Sequence, residues 1–274
     1  MKSLVISPVR NRHERETFLR FMWKVYKGDS NWVAPLLRDR RRITDAKRGP
    51  FFAHGQAEFF IARRGGSVVG TICAAEDYQL NQSRNRKDCV IGFFECLPDQ
   101  EAAWKLFDTS AEWAANHNLD TLYGPFNFDY EDGYGVLIEG WEEPAAILCG
   151  HTPPYYQQFF EDYGFAPARG DNLAFKINIC ESPEIQKLHA MADRVRSVRN
   201  FKIRPADFTN WQAEIDLIYP MINSALAHLP DHRPWPRESL EDLRVRLHGA
   251  HRHLPLPLEL FQPGGDLPAL PGRR

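Results

Sequence analysis

Residues 88 to 95 read DCVIGFFE, an apolar run with acidic residues only at its ends. A strand exposed on one face would alternate polar and apolar positions. A run without that alternation suits a central strand covered on both faces. Such a strand commits the chain to a layered architecture, with helices on each side of a sheet. The neighbouring sequence supplies the layers.

Leu4-Val5-Ile6 predicts a short strand. Glu14 to Tyr26 places Phe18, Phe21, Met22, Val25 and Tyr26 at amphipathic-helix spacing, and Gly28-Asp29-Ser30 stops it. Val33, Leu36, Leu37 and Ile43 predict a second helix whose other face carries Arg38, Arg40, Arg41 and Arg42. That face is read as solvated, with anion binding as the alternative. Glu58 to Arg63, the turn Gly65-Gly66 and Val68 to Ala75 form a hairpin pattern. After the apolar run, Asp99 is placed to cap a helix with Glu101 in its first turn. Trp104, Phe107, Ala111 and Ala114 line one stripe of that helix, and Thr121-Leu122-Tyr123 begins another strand.

Residues 124–151 read as loop. In YYQQFFEDYGF (155–165), Thr152 is expected to cap the helix, Pro153 to open it and Gly164 to end it in a left-handed conformation. Leu173 to Ile179 predicts a last strand. The expected fold class is α/β, a mixed central β-sheet flanked by helices, with an incomplete C-terminal segment.

Several function classes recede on composition. A formal net charge of −2 gives no general attraction to nucleic acid or anionic membrane. No window approaches the roughly 18 apolar residues of a transmembrane helix, and the N-terminus lacks a signal-peptide pattern. The five cysteines form no CxxC pair, which reads as reduced thiols in a cytoplasmic protein. Cys149 and His151 stand too close in sequence for an ordinary thiol–imidazole pair. His251-x-His253 lacks further ligands, so no metal is expected.

GFFE (92–95), YGPFNF (123–128) and PPYYQQFFEDYGF (153–165) together resemble an uncharacterised bacterial branch of the GNAT acyltransferase superfamily, over residues 1 to 180. The resemblance implies acyl-CoA lying where two central strands part, with a primary amine attacking the thioester. Such chemistry needs a base, an oxyanion donor and an acid for the departing thiolate. On that resemblance Glu95 is the candidate base, with a solvated strand-end glutamate as the alternative. Tyr156 is the candidate acid, with a helix stripe packed on the sheet as its alternative. Backbone around Cys96 and Leu97, with Gln100, would bind the acyl-CoA thioester. Asn127, Asp129 and Tyr130 would bind a small-molecule amine, drawn by an acidic loop.

Two departures from the family pattern stand out. The superfamily's glycine-rich pyrophosphate loop is replaced by CLPDQEAA (96–103), where Pro98 lacks an N–H and Asp99 and Glu101 repel phosphate. The residue four before Gly164, where the family commonly has its acid tyrosine, is Phe160. These departures keep open a second reading, a GNAT-like ligand-binding or structural protein without transfer chemistry.

The remainder divides at two points. Residues 181–247 resemble the start of a second GNAT-like repeat: Phe201 to Pro205 as strand, Ile215 to Leu226 as helix, then a further helix through Leu240, Leu243 and Leu247. Residues 248–274, dense in Pro and Gly, read as a disordered tail, either natural or the product of a frame error. Open strand edges in an incomplete repeat would invite pairing into a homo-oligomer.

Overall fold

Helix breakers and covered strands set the element order. The computed structural model describes residues 2–128, 134–145, 149–175, 183–199, 201–205, 207–227, 237, 240 and 259–263. The chain divides into two units, Met1–Asp171 and Asn172–Arg274.

In the first unit, β1 (Leu4–Pro8) leads into α1 (Arg12–Arg20), capped by Asn11, whose side chain accepts from the Glu14 N–H. The single helix expected to Tyr26 is broken at Phe21, and a further turn, α2 (Met22–Val25), follows. The expected helix from Val33 shortens to α3 (Leu37–Ile43), while Val33 and Leu36 stay exposed in extended chain. Pro35 removes an N–H there and biases its predecessor away from helix.

The hairpin forms as β2 (Gly55–Arg64) and β3 (Ser67–Asp77). Next comes α4 (Tyr78–Arg84), which the sequence reading lacked; Asp77 caps it by accepting from Leu80 N–H at 2.9 Å. Then come β4 (Asp88–Cys96), α5 (Gln100–Asn116), β5 (Thr121–Tyr123) and α6 (Tyr155–Tyr163).

The sheet runs in the order β1-β2-β3-β4-β5, antiparallel except for the parallel β4–β5 pair. It is the expected mixed α/β sheet. One face carries Phe60, Ile72, Ala74 and Ile91 against Leu106 and Phe107 of α5 and Phe159 and Phe160 of α6. The other carries Ile61, Cys73, Ala75 and Val90 against Phe18 and Leu19 of α1 and Ile43 of α3. Both faces of β4 are therefore covered, as its composition requires.

Two helix-end expectations fare differently. Gly164 ends α6 at φ +107°, with Phe165 N–H donating to Phe160 O at 3.0 Å. Thr152 does not cap α6: the N-cap is Pro154, and the Thr152 hydroxyl accepts from Leu137 N–H at 2.8 Å. Two successive prolines leave fewer N–H groups in need of a cap. Of the predicted strand at 173–179, Leu173 to Phe175 are not paired and are exposed; the rest lies outside the described residues.

The second unit holds α7 (Pro183–Arg199), β6 (Phe201–Pro205), α8 (Trp211–Leu226) and β7 (Glu259–Pro263). Leu243 and Leu247 of the predicted third helix lie outside the described residues. A small core joins Trp211, Ile215 and Leu240, and Arg204 pairs with the buried Glu214 at 2.6 Å. Residues 259–263, inside the segment read as a disordered tail, pair antiparallel with β6. Pro205 and Pro263 each stand at the last position of an edge strand, where a missing donor is tolerated.

The feature that shapes the first unit is a bulge in β4. Cys73 opposes Gly92 and Thr71 opposes Glu95, so β4 spends three residues where β3 spends two. Phe93 takes φ +47°, and its side chain goes to the α1 face while Phe94 goes to the α5 face. A Cβ on Gly92 would lie 1.9 Å from Phe126 O. Gly92→Ala must therefore displace backbone on one side or the other. It should lower the urea unfolding free energy by about 3 kcal/mol; a change within a few tenths would contradict this account of the crossing.

Candidate active site

The bulge interrupts the regular ladder of β4, which resumes against β3 at Glu95 and Cys96. β5 pairs with β4 only over Asp88–Val90, after which the chain crosses the bulge. Phe126 N–H donates to Ile91 O at 3.0 Å, and Asn127 Oδ1 accepts from Phe93 N–H at 2.6 Å. Asn127 thus holds the bulge.

Past this crossing the open side of β4 is closed by side chains. Tyr156 Oη accepts from Cys96 N–H at 2.6 Å, and Tyr155 Oη donates to Cys96 O at 2.8 Å. Two adjacent tyrosines on α6 thereby take the backbone pair of one strand residue. Leu97 N–H continues the sheet by donating to Val69 O at 2.9 Å. The Cys96 and Leu97 N–H groups, expected to face a thioester, are thus both directed at protein partners.

Glu95 lies between these bonds. Tyr156 Oη donates to its Oε2 at 3.0 Å. Tyr26 at the end of α2 and Arg40 of α3 also act on its carboxyl, each favouring the charged form. Part of the Glu95 surface remains open, yet protein atoms crowd the carboxyl. That crowding strips solvent from the charged form and raises the Glu95 pKa to about 7, against the tyrosine hydrogen bonds and Arg40, which lower it. Tyr156 is 1% exposed, and burial together with the Glu95 charge pushes its pKa up. It is a hydrogen-bond donor that keeps its proton.

The wall beyond Glu95 is built by residues that the sequence reading left in other roles. Tyr26 Oη donates to His151 O at 2.8 Å, and its ring stacks on Trp32 at 4.7 Å. His151 Nε2 lies 2.8 Å from Asp29 Oδ2, with the imidazole 5% exposed. Desolvation pulls the Asp29 pKa upward, but the bonds from His151 and from the N–H groups of Asn31 and Trp32 outweigh it and hold it low. His151 thus joins Asp29, not Cys149. Tyr26 had a place only in an apolar helix stripe, and no local motif marks it.

The remaining candidates fall elsewhere. Gln100 lies outside this cluster, its Nε2 donating to Asp162 Oδ2 at 2.9 Å. Asp129 and Tyr130 lie outside the described residues. Phe160 is packed among Phe94 and Phe107, with centroids 5.3 and 4.8 Å away. Among the described residues no group of three or more His, Cys, Asp or Glu is placed to hold a metal ion. Among them, too, no helix is long and apolar enough to cross a membrane.

The N-terminus of α5 is occupied by the chain's own carboxylate. Asp99 Oδ1 accepts from Ala102 N–H at 3.1 Å, and Arg64 grips Asp99 through Nε and Nη2 at 2.7 and 2.8 Å. Arg64 Nη2 also reaches Glu101 at 2.8 Å. An anion at this helix end would meet a filled position and two negative charges.

The class of protein is α/β: a five-stranded mixed sheet covered by helices on both faces, with β5 pairing with β4 over three residues. No protein-family model matches the chain. The chain is similar to the bacterial ceramide synthase of Caulobacter vibrioides, 27% identical over 223 residues, which are 81% of this chain and 57% of that protein. It is also similar to protein YghO of Escherichia coli, 27% identical over 222 residues, or 80% of this chain and 55% of that one. The chain therefore spans a little over half the length of the curated relatives it matches. Among solved structures it is similar to a tandem GNAT protein from the clavulanic acid biosynthesis pathway, with 16% identity, a TM-score of 0.40, 59% of this chain and 43% of that one covered.

The Arg64 pair holds the Asp99 pKa below its usual value, against the desolvation of its site and together with the Ala102 N–H. A depressed folded-state pKa adds stability that is complete above the unfolded value near 4 and fades as the pH falls through the folded value. Asp99→Ala should cost about 1–2 kcal/mol at neutral pH. The loss should shrink below about pH 4, which urea unfolding across that range measures. A pH-independent loss would remove the charge from this account.

Proposed function

We propose that the chain is an N-acyltransferase that moves an acyl group from a thioester, acyl-CoA in the simplest case, to a primary amine. The observation that carries this reading is Glu95: a carboxyl with its pKa raised to about 7, hydrogen-bonded by Tyr156, at the bulged end of β4 where the sheet parts. A base working near neutral pH is best matched by a pKa near the working pH. The amine nitrogen attacks the thioester carbon, the C–N bond forms and Glu95 takes a proton from nitrogen. The C–S bond then breaks and the thiolate leaves, to be protonated as a thiol.

For the acceptor, the named relative suggests a substrate class. A ceramide synthase joins a fatty acyl group to the amine of a long-chain amino alcohol. We extend that acceptor class to this chain, in place of a small polar amine. Similarity over 81% of the chain, Glu95 and the amine chemistry of the superfamily it resembles all support the extension.

A second reading has its own observation. Asp99 and Glu101 with Arg64 fill the end of α5, which favours a GNAT-like protein that binds a ligand without transferring an acyl group from CoA. Thermal unfolding with palmitoyl-CoA and acetyl-CoA separates the two. At about 100 times its dissociation constant a ligand adds roughly 2.7 kcal/mol, and no shift with either ester favours the second reading.

For the first reading, Glu95→Gln should lower turnover of palmitoyl-CoA with sphinganine by about 10²–10⁴-fold. Unchanged turnover would take Glu95 out of the reaction. The same variant has a readout independent of activity. A carboxyl whose folded pKa is raised favours the folded state at low pH, and that contribution is lost as pH rises from the usual value to about 7. Glu95→Gln should therefore raise Tm relative to the parent more at pH 8 than at pH 5.

A further inference from the structure

α3 begins after two side chains that the fold leaves in solvent. Val33 and Leu36 are 71% and 72% exposed, the most exposed large apolar residues among those described in the first unit. They stand in extended chain between Trp32 and Leu37, and Pro35 keeps that stretch out of the helix. Beside them Trp23 is 37% exposed, its ring edge-on to Trp32 at 5.7 Å. A single exposed apolar residue is ordinary on a protein surface. Several in one place mark a surface that meets something apolar.

This stretch is held in place by the wall behind it. The Trp32 ring stacks on Tyr26 at 4.7 Å, and Tyr26 Oη donates to His151 O at 2.8 Å. Asp29 Oδ1 accepts from the N–H groups of Asn31 and Trp32 at 2.9 and 3.2 Å, and its Oδ2 lies 2.8 Å from His151 Nε2. Asn31 Nδ2 donates to Trp141 O at 3.0 Å. The apolar tip therefore reaches a partner already shaped, and little ordering entropy opposes docking.

The charge around the tip selects the partner. Residues 23–42 hold Lys24, Lys27, Arg38, Arg40, Arg41 and Arg42 against Asp29 and Asp39 alone, an excess that the whole-chain charge of −2 conceals. Positions 38, 41 and 42 share one face of α3. Arg40 leaves that face for the Phe93 ring, 5.6 Å from its centroid, and Arg41 also donates to Glu16 at 2.6 Å. A free phosphate would match the arginines but not the apolar tip. A wholly apolar protein surface would match the tip but not the arginines. An anionic bilayer matches both: apolar side chains enter the acyl boundary, and the cations beside them meet lipid phosphates. Apolar insertion and basic attraction are each weak alone and together hold a protein at a bilayer.

We propose that residues 32–42 are a docking surface for an anionic lipid bilayer, with Val33 and Leu36 entering the interface and the basic face of α3 against lipid phosphates. α2, which carries Trp23, lies against β4, so the tip belongs to the same side of the sheet as Tyr26. In N-acyl transfer, docking brings a lipid amine to the wall beside Glu95. That use rests on the transferase reading; docking itself does not.

The test is flotation of the full chain with phosphatidylcholine vesicles, with and without phosphatidylglycerol. The parent should float with the anionic vesicles, bind the neutral ones about tenfold more weakly, and be released by salt. The double variant Val33→Glu, Leu36→Glu should lose about a hundredfold in vesicle affinity. Arg38→Gln, at an exposed position, should lose about fivefold. A parent that floats with neither vesicle, or a double variant that binds like the parent, overturns the proposal. So does a parent dimer in sedimentation equilibrium that the double variant splits, without flotation, because a second copy then covers the tip. If the double variant does not fold, amide hydrogen exchange of the parent decides. Anionic vesicles should slow exchange within 30–42, and protection confined to other segments overturns the proposal. A chain that floats yet moves no acyl group from palmitoyl-CoA to sphinganine keeps the docking surface and loses the transferase reading. One that transfers without floating does the reverse.

Discussion

The close crossing of Phe126 over Gly92 is the contact on which the first unit depends. It leaves no room for a side chain, and it inserts one residue into β4 against β3. From there the faces of the strand change hands: Phe93 joins one core and Phe94 the other. Without the insertion Glu95 would sit one position out of phase, and its carboxyl would not meet Tyr26 and Tyr156. Asn127 completes the arrangement by accepting the N–H that the bulge leaves without a sheet partner.

How much of this was legible in the sequence follows from what each signal is made of. The apolar run at 88–95 announced a doubly covered strand because burial on two faces leaves a mark at every position. Asp99 and Gly164 were readable for a similar reason, as caps are local and the residues that make them are few. The helix expected over Val33–Ile43 failed at Pro35, where the apolar spacing outlived the backbone that could carry it. The bulge was not readable, since Gly92 in an apolar strand is equally compatible with a smooth ladder. Tyr26 and the His151–Asp29 pair escaped for another reason: His151 lies 125 positions from Tyr26 and 122 from Asp29, and no short-range pattern encodes such a meeting.

The same contrast separates the two ends of β4's neighbourhood. At Glu95, hydroxyls surround a carboxyl without fully neutralising it, and desolvation leaves it poised near neutrality. At the start of α5, Arg64 meets Asp99 and Glu101 directly, and the Asp99 carboxyl is driven firmly into its charged form. One site retains the freedom to exchange a proton, whereas the other has none. The two carboxylates stand four residues apart, yet their surroundings hold one near neutrality and the other ionised.

The paired tyrosines of α6 have a consequence for how this sheet can change. Tyr155 and Tyr156 take the C=O and N–H of Cys96 as an adjoining strand would, so a helix here supplies the rungs of a ladder. A strand offers the same rungs from any sequence, because they belong to its backbone. A helix offers them only through these particular side chains. Strand identity has thus been written into two phenols, and the freedom to vary that backbone pairing normally confers is lost at this point of the sheet.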